Sequence, residues 1–115
     1  MTVAEIVAAL ELEVLAGRDG LSRQVTGGYS SDLLSCAMAG AKEGDVWVTL
    51  QAHQNVVAVA TLADVACVII TEGAFPDAGT VSRADAERVA LLGTKQDTFA
   101  VIAQLVESGV EAASS

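Results

Sequence analysis

Apolar residues recur along the chain in two rhythms, a helical one and a continuous strand-like one, and the switches between them mark out the elements. Thr2 and Glu5 have the spacing of a capping box, and Val3, Ile6, Val7 and Leu10 follow at helical period. This predicts a helix over 3–11. Residues 12–15 read as a short strand, ended by the turn string Gly17-Arg18-Asp19-Gly20, and 24–29 as a weaker strand carrying Gly27-Gly28. Ser30-Ser31-Asp32 offers a hydroxyl or carboxylate cap to a helix that runs to residue 39 and stops at Gly40. After the polar turn 41–45, Val46-Trp47-Val48-Thr49-Leu50 is the clearest strand. His53-Gln54-Asn55 opens a helix to Asp64 whose Val56, Val57, Ala58, Val59 and Ala60 are apolar on every side, the pattern of a buried helix. Residues 65–71 form a continuous apolar strand, as in a sheet covered on both faces. A loop over 72–79 holds Pro76, Ser82-Arg83-Ala84-Asp85 starts a short helix, and 89–92 is a further strand. Asp97 caps a last helix over 98–108, and the tail 109–115 is expected to fray.

The second half thus alternates strand and helix in units of about twenty residues, a length that joins parallel strands. The predicted class is α/β, a small parallel or mixed sheet flanked by helices. The strand order and the direction of the first two strands stay open. With 115 residues, the chain is expected to be one domain over 1–115.

Composition sharpens this picture. Hydrophobic residues are 52% but aromatics only 3%, so the core must be built from Ala, Val, Leu and Ile. Six Lys and Arg against fifteen Asp and Glu leave a net charge of -9, which argues against nucleic-acid and anionic-membrane partners. The start Met1-Thr2-Val3-Ala4-Glu5 has no basic stretch, and 56–70 is broken by Thr61 and Asp64. Neither a signal peptide nor a membrane span is expected, and the chain is placed in the cytoplasm. Cys36 and Cys67, far apart and without a CxxC, read as two small buried hydrophobes. Trp47 reads as core.

Reactive equipment is sparse. There is no Walker loop, GxGxxG, HExxH, CxxC, calcium loop or GxSxG elbow, so no metal or cofactor is expected. His53 is the single histidine, and an enzyme built on it with Asp32 or Asp97 is the least favoured reading. The loops after three strands should share one edge: Gln51, His53 and Asn55; Glu72 and Gly73; and Thr94, Lys95, Gln96 and Asp97. They form a candidate small-molecule rim, against the plainer reading of helix entry and loop chemistry. Gly27-Gly28 ahead of a helix start is a candidate anion cradle, opposed by the charge of Asp32. Leu33, Leu34, Met38 and the helix holding Val56 and Val59 offer more apolar surface than one small sheet covers, and Ser35, Cys36, Ala37, Ala39 and Gly40 permit close helix approach. That surplus predicts a symmetric homodimer.

One resemblance spans most of the chain. Gly28-Tyr29, Ser31-Asp32-Leu33-Leu34-Ser35, Met38, Ala41 through Thr49, His53 through Ala60, Val68-Ile69-Ile70, Pro76 and Asp97-Thr98-Phe99 resemble the DRTGG domain family over 20–105. More narrowly, they resemble short stand-alone members encoded beside iron-hydrogenase genes. The resemblance implies an α/β fold similar to the N-terminal, non-catalytic domain of HPr serine kinase. It also implies a regulatory role, a dimer interface, and a protein partner in a hydrogenase or central-metabolism system. Gly27, Gly28, Asp32, Gly44, Asp45, Thr49, His53 and Asn55 match family-characteristic positions; Gly27, Gly28, Asp32, Thr49, His53 and Asn55 are the candidate ligand contacts. The literal Asp-Arg-Thr-Gly-Gly string is absent: Thr26-Gly27-Gly28 follows Gln24-Val25. Three roles are therefore in competition: a non-catalytic homodimeric regulatory or protein-interaction module, a sensor for an adenine nucleotide or another metabolite, and, last, an enzyme.

Overall fold

The computed structural model describes residues 1–112. Its elements in chain order are α1 (Val3–Leu10), β1 (Glu13–Ala16), a 3-10 turn (Arg18–Gly20), β2 (Gly27–Ser30), α2 (Leu34–Gly40), β3 (Asp45–Thr49), α3 (Gln54–Ala63), β4 (Cys67–Ile70), α4 (Ala78–Glu87), β5 (Leu91–Gly93) and α5 (Thr98–Glu107). The strands form one five-stranded sheet in the order β1-β5-β4-β3-β2. β2 through β5 run parallel, and β1 joins the far edge antiparallel to β5. The sheet is therefore mixed. The antiparallel strand stands at its edge, where no crossover has to return.

Strand pleating divides the apolar residues into two layers. Trp47, Val68, Ile70 and Leu91 point to the face covered by Ala37 of α2, by Val56, Val57, Val59 and Ala60 of α3, and by Ala84 of α4. Val46, Val48, Cys67, Ile69 and Leu92 point the other way, against Val3, Ile6 and Leu10 of α1 and Val101 and Leu105 of α5. The result is a three-layer sandwich with the sheet buried on both faces, as continuous apolar strands demand.

The helix ends follow local chemistry. The capping box at Thr2 and Glu5 is formed in full. Asp97 caps α5 by accepting the Ala100 amide. α4 starts earlier than its sequence suggests. Asp77 accepts both the amide and the hydroxyl of Thr80, so the helix begins at Ala78 rather than Ser82. The same two donors hold the Asp77 carboxyl below the usual carboxylate range. α3 closes on Asp64 in the left-handed region, where Arg23 binds the freed backbone. The guanidinium donates to the Asp64 carbonyl at 2.7 Å, to its carboxylate at 2.8 Å and to the Val65 carbonyl at 3.1 Å.

Three expectations are corrected here. Val56 and Val59 are 1% and 3% exposed, so this face of α3 is covered by its own fold and neither residue is free for a partner; the helix is not buried all round, since Leu62 on its other side is 75% exposed. α3 stands between α2 and α4, and those neighbours supply the cover. Cys36 is exposed; only Cys67 is buried, and burial pushes its thiol up to about 12. The expected fraying does not begin at Gly109. Val110 packs into the core and Ala112 forms a parallel bridge with Gly28. The rest of that tail, 113–115, lies outside the described residues.

Candidate functional site

Because β2 to β5 are parallel, the loops leaving their carboxyl ends lie along one edge of the sheet. β2, β3 and β4 lead into α2, α3 and α4 on one face, whereas β5 leads into α5 on the other. The connections part between β4 and β5, the place where open α/β sheets make a ligand crevice. In this chain the parting is stitched shut. The Glu72 amide donates to the Gln96 carbonyl at 2.8 Å and the Gly73 amide to the Thr94 carbonyl at 3.0 Å. The Thr71 and Thr98 hydroxyls are bonded at 2.7 Å. Beside the stitch, Leu15, Gly73, Phe75, Gly93 and Lys95 line a hollow of about 80 Å³. A small-molecule site more commonly encloses about 300–1,000 Å³.

The candidate ligand residues do not converge. Gly27 and Gly28 lie inside β2, opposite Asp45 and Val46, at the amino end of the sheet. They form no cradle: α2 begins only at Leu34, with Leu33 at its cap and no side-chain cap bond. Gly28 instead admits the tail, since a Cβ there would stand 3.2 Å from Val110 Cγ1. Asp32 does not cap α2. Its Oδ1 accepts the Thr49 hydroxyl at 3.0 Å and the Leu50 amide at 2.9 Å, tying the segment after β2 to the end of β3. The structure thus brings Asp32 and Thr49 together, in a latch between two loops. Thr49 Oγ1 also accepts the Gln51 amide. His53 caps α3, its Nδ1 accepting the Asn55 amide at 3.1 Å. Asp32 and Asp97 hold backbone amides elsewhere, so neither carboxylate orients the imidazole. Gly44, at φ 82°, is pressed against Thr26, and Asp45 is buried with its carboxylate on the Lys42 amide. Both build the turn into β3.

The latch belongs to a strap, residues 31–33, that presents α2. The Trp47 indole N–H reaches out of the core to donate to the Ser31 carbonyl at 3.0 Å. The Tyr29 hydroxyl donates to the Cys36 carbonyl at 3.0 Å. Gly40 lies on the same ring, where a Cβ would stand 2.7 Å from Cε1. On the helix held this way, Leu33 and Met38 are 62% and 57% exposed, with Leu34 half-buried against the core. Ser35, Cys36 and Ala39 are exposed beside them, while Ala37 is buried. Of the expected interface, Leu33, Leu34 and Met38 therefore share one short surface helix, and the two valines of α3 do not join them.

Sequence reading missed Leu50, Phe75 and Phe99 on the carboxyl edge, exposed by 40%, 72% and 83%. Leu50 and Phe75 carried a signal of position, large apolar residues past a strand end in segments with no apolar period, whereas Phe99 lies in the first turn of α5 with Ile102 and Val106 at helical spacing. Among the described residues, no group of three or more His, Cys, Asp or Glu is placed to hold a metal ion. Among the same residues, no helix is long and apolar enough to cross a membrane.

Comparison with known proteins places this geometry. The family model described as the DRTGG domain matches residues 5–108. A solved structure, the CBS and DRTGG domains of the regulatory region of a Clostridium perfringens pyrophosphatase complexed with its activator diadenosine tetraphosphate, superposes with a TM-score of 0.75 at 17% identity. The match covers 93% of this chain and 46% of that one, so this chain corresponds to about half of its neighbour, and the likeness is one of fold. No curated protein sequence matches.

Proposed function

Since the chain belongs to the DRTGG domain family, we propose that it is a non-catalytic regulatory module that works as a homodimer and acts by docking on other proteins. The observation that carries this reading is α2. A surface helix anchored by Trp47, Tyr29 and the Asp32–Thr49 latch leaves Leu33 and Met38 mostly in water. A rigid support under an unpartnered apolar strip suits an interface, because little ordering entropy remains to be lost on association. A twofold axis through α2 would set Leu33 and Met38 of one copy against those of the other, with Ser35 and Ala39 small enough for close approach. The side chains at the carboxyl edge give further support. His53, Asp32 and Asp97 are each engaged in caps or latches, the work of structural groups.

The test is a double substitution, Leu33→Ser with Met38→Ser. Both side chains are largely outside the monomer's core, so the variant should keep its circular dichroism spectrum and a cooperative melt, and sediment as a monomer where the parent sediments as a dimer. A variant that remains fully dimeric would move the interface elsewhere.

A second reading, a sensor for an adenine nucleotide, draws on one observation: the structurally similar pyrophosphatase region is described in complex with diadenosine tetraphosphate. Against it stand the acidic edge, with Glu72, Asp77 and Asp97, and the stitched crevice.

A further inference from the structure

β2 is an edge of the sheet, and an edge strand keeps one side of its backbone free to pair. The Thr26 amide donates to the Gly44 carbonyl, toward β3. At a period of two, Gly28 and Ser30 turn their backbone groups the same way, and Gly27 and Tyr29 turn theirs outward. The chain uses this outer side once. Ala112 forms a parallel bridge with Gly28, the one strand contact there among the described residues. Beneath the edge, between the sheet and α5, lies an apolar hollow of about 160 Å³ lined by Gly28, Ser30, Val48, Ile102, Val106 and Ala112. It opens on the face of the sheet away from α2. Val106 is 63% exposed at its rim. An apolar cavity of about 150 Å³ holds a benzene ring, so this one takes a single large apolar side chain. The next residues of the chain, Ala113, Ser114 and Ser115, have no side chain of that size.

We propose that the β2 edge docks an extended segment of a partner protein as an added parallel strand, with one large apolar side chain seated in the hollow. The segment takes the place of Ala112 beside Gly28 and runs on past Tyr29 and Ser30, in the sense the tail already shows. In such strand addition the main chain supplies affinity and a side-chain pocket supplies selectivity. Glu111 also lines the hollow, and the chain carries a net charge of -9, so Lys or Arg beside the apolar residue completes the match. A second copy would offer only the same tail, whose Ala and Ser leave the hollow unfilled, and the same negative charge. The proposal deepens the interaction-module reading and rests on it, but it uses a different surface from α2.

The probe is a short synthetic peptide with a central phenylalanine, threonine two places to either side and lysine between, titrated calorimetrically into the full chain. A residue opposite Gly28 or Ser30 faces the hollow with its side chain and β2 with its own N–H. Two control peptides therefore keep the charge. One has alanine for phenylalanine, and the other carries a methyl group on the phenylalanine nitrogen, which keeps the ring and removes the donor. Each should bind about tenfold more weakly or worse. Ala112→Phe fills the hollow from the tail and should block the peptide, and Val106→Ser at the rim should weaken it. The Leu33→Ser, Met38→Ser variant should bind as the parent does. Equal binding of the alanine peptide would show attraction to overall charge alone and overturn the proposal. Equal binding of the methylated peptide would show a ring held without strand pairing, and would overturn it too. So would a parent chain that ignores the probe, or Ala112→Phe and Val106→Ser variants that both bind as the parent does. Failure of the homodimer shows in sedimentation and failure of this site in the titration, so the two are read separately.

Discussion

Replacing Trp47 by alanine is expected to cost about 3–5 kcal/mol of folding stability, the range for emptying a large aromatic site in a core. Trp47 is fully buried in the middle strand region of the layer formed with α2, α3 and α4. The core cluster it belongs to is rich in small residues, among them Ala37, Ala41 and Ala60, and short side chains have no reach to refill the space. A domain of this size has about 5–15 kcal/mol in all, so the loss is a large share of the total. The substitution also removes the donor to the Ser31 carbonyl, which frees the strap that carries Leu33. Trp47→Phe separates the two effects. It keeps most of the apolar volume, loses the strap bond, and should cost about 1–3 kcal/mol. Urea denaturation followed by far-ultraviolet circular dichroism reads both. An alanine variant within about 1 kcal/mol of the parent would contradict this packing.

Gly17→Ala is expected to be comparably damaging, for a backbone reason. Gly17 follows β1 at φ 71°, and a Cβ there would lie 1.9 Å from the Val89 carbonyl oxygen and 2.7 Å from the Ala90 nitrogen. These atoms belong to the chain entering β5, so the methyl cannot be accommodated by a side-chain rotation. Its amide also donates to the Asp85 carboxylate at 2.7 Å, a bond that would have to break as the turn moves away. Left-handed backbone alone costs an alanine roughly 1–2 kcal/mol, and displacing main chain in a packed layer adds to it, for an expected loss of about 3 kcal/mol or more. Gly109→Ala is the control. Its φ is 102°, but nothing stands within 4 Å of the new Cβ, so only the backbone preference is lost. Thermal melts of the two variants should therefore differ widely, and equal midpoints would refute the close approach at Gly17.

Those two positions also show how unevenly the sequence displays the fold. Trp47 as core, the strands around Val46 and Val68, the capping box at Thr2 and the cap at Asp97 all follow from local pattern, because short-range chemistry fixes them. Residues engaged over long range were harder to read. Asp32 stands where a helix cap belongs, yet its carboxylate reaches seventeen residues ahead to Thr49. Gly27-Gly28 reads as a weak strand and also as an anion cradle; the strand is there, and the space at Gly28 serves the tail instead of a ligand. Val56 and Val59 carry a true signal of burial. An apolar run of this kind must be covered on at least one face, but composition does not say whether by α2 and α4 or by another molecule. The candidate ligand residues are scattered for the same reason: positions along the chain do not show that Gly27 and Thr49 lie at opposite ends of the sheet. Phe75 was visible only as an apolar residue without a periodic partner, a signal easily passed over in a chain that is 52% hydrophobic, while Phe99 shares its helical spacing with Ile102 and Val106 and so read as an ordinary packing position.

Self-association through α2 is tested most directly by sedimentation equilibrium of the unmodified chain. At tens of micromolar, the dimer predicts a mass twice the 11.7 kDa of one chain, falling toward that value on dilution. A mass of one chain across the whole concentration range would contradict it.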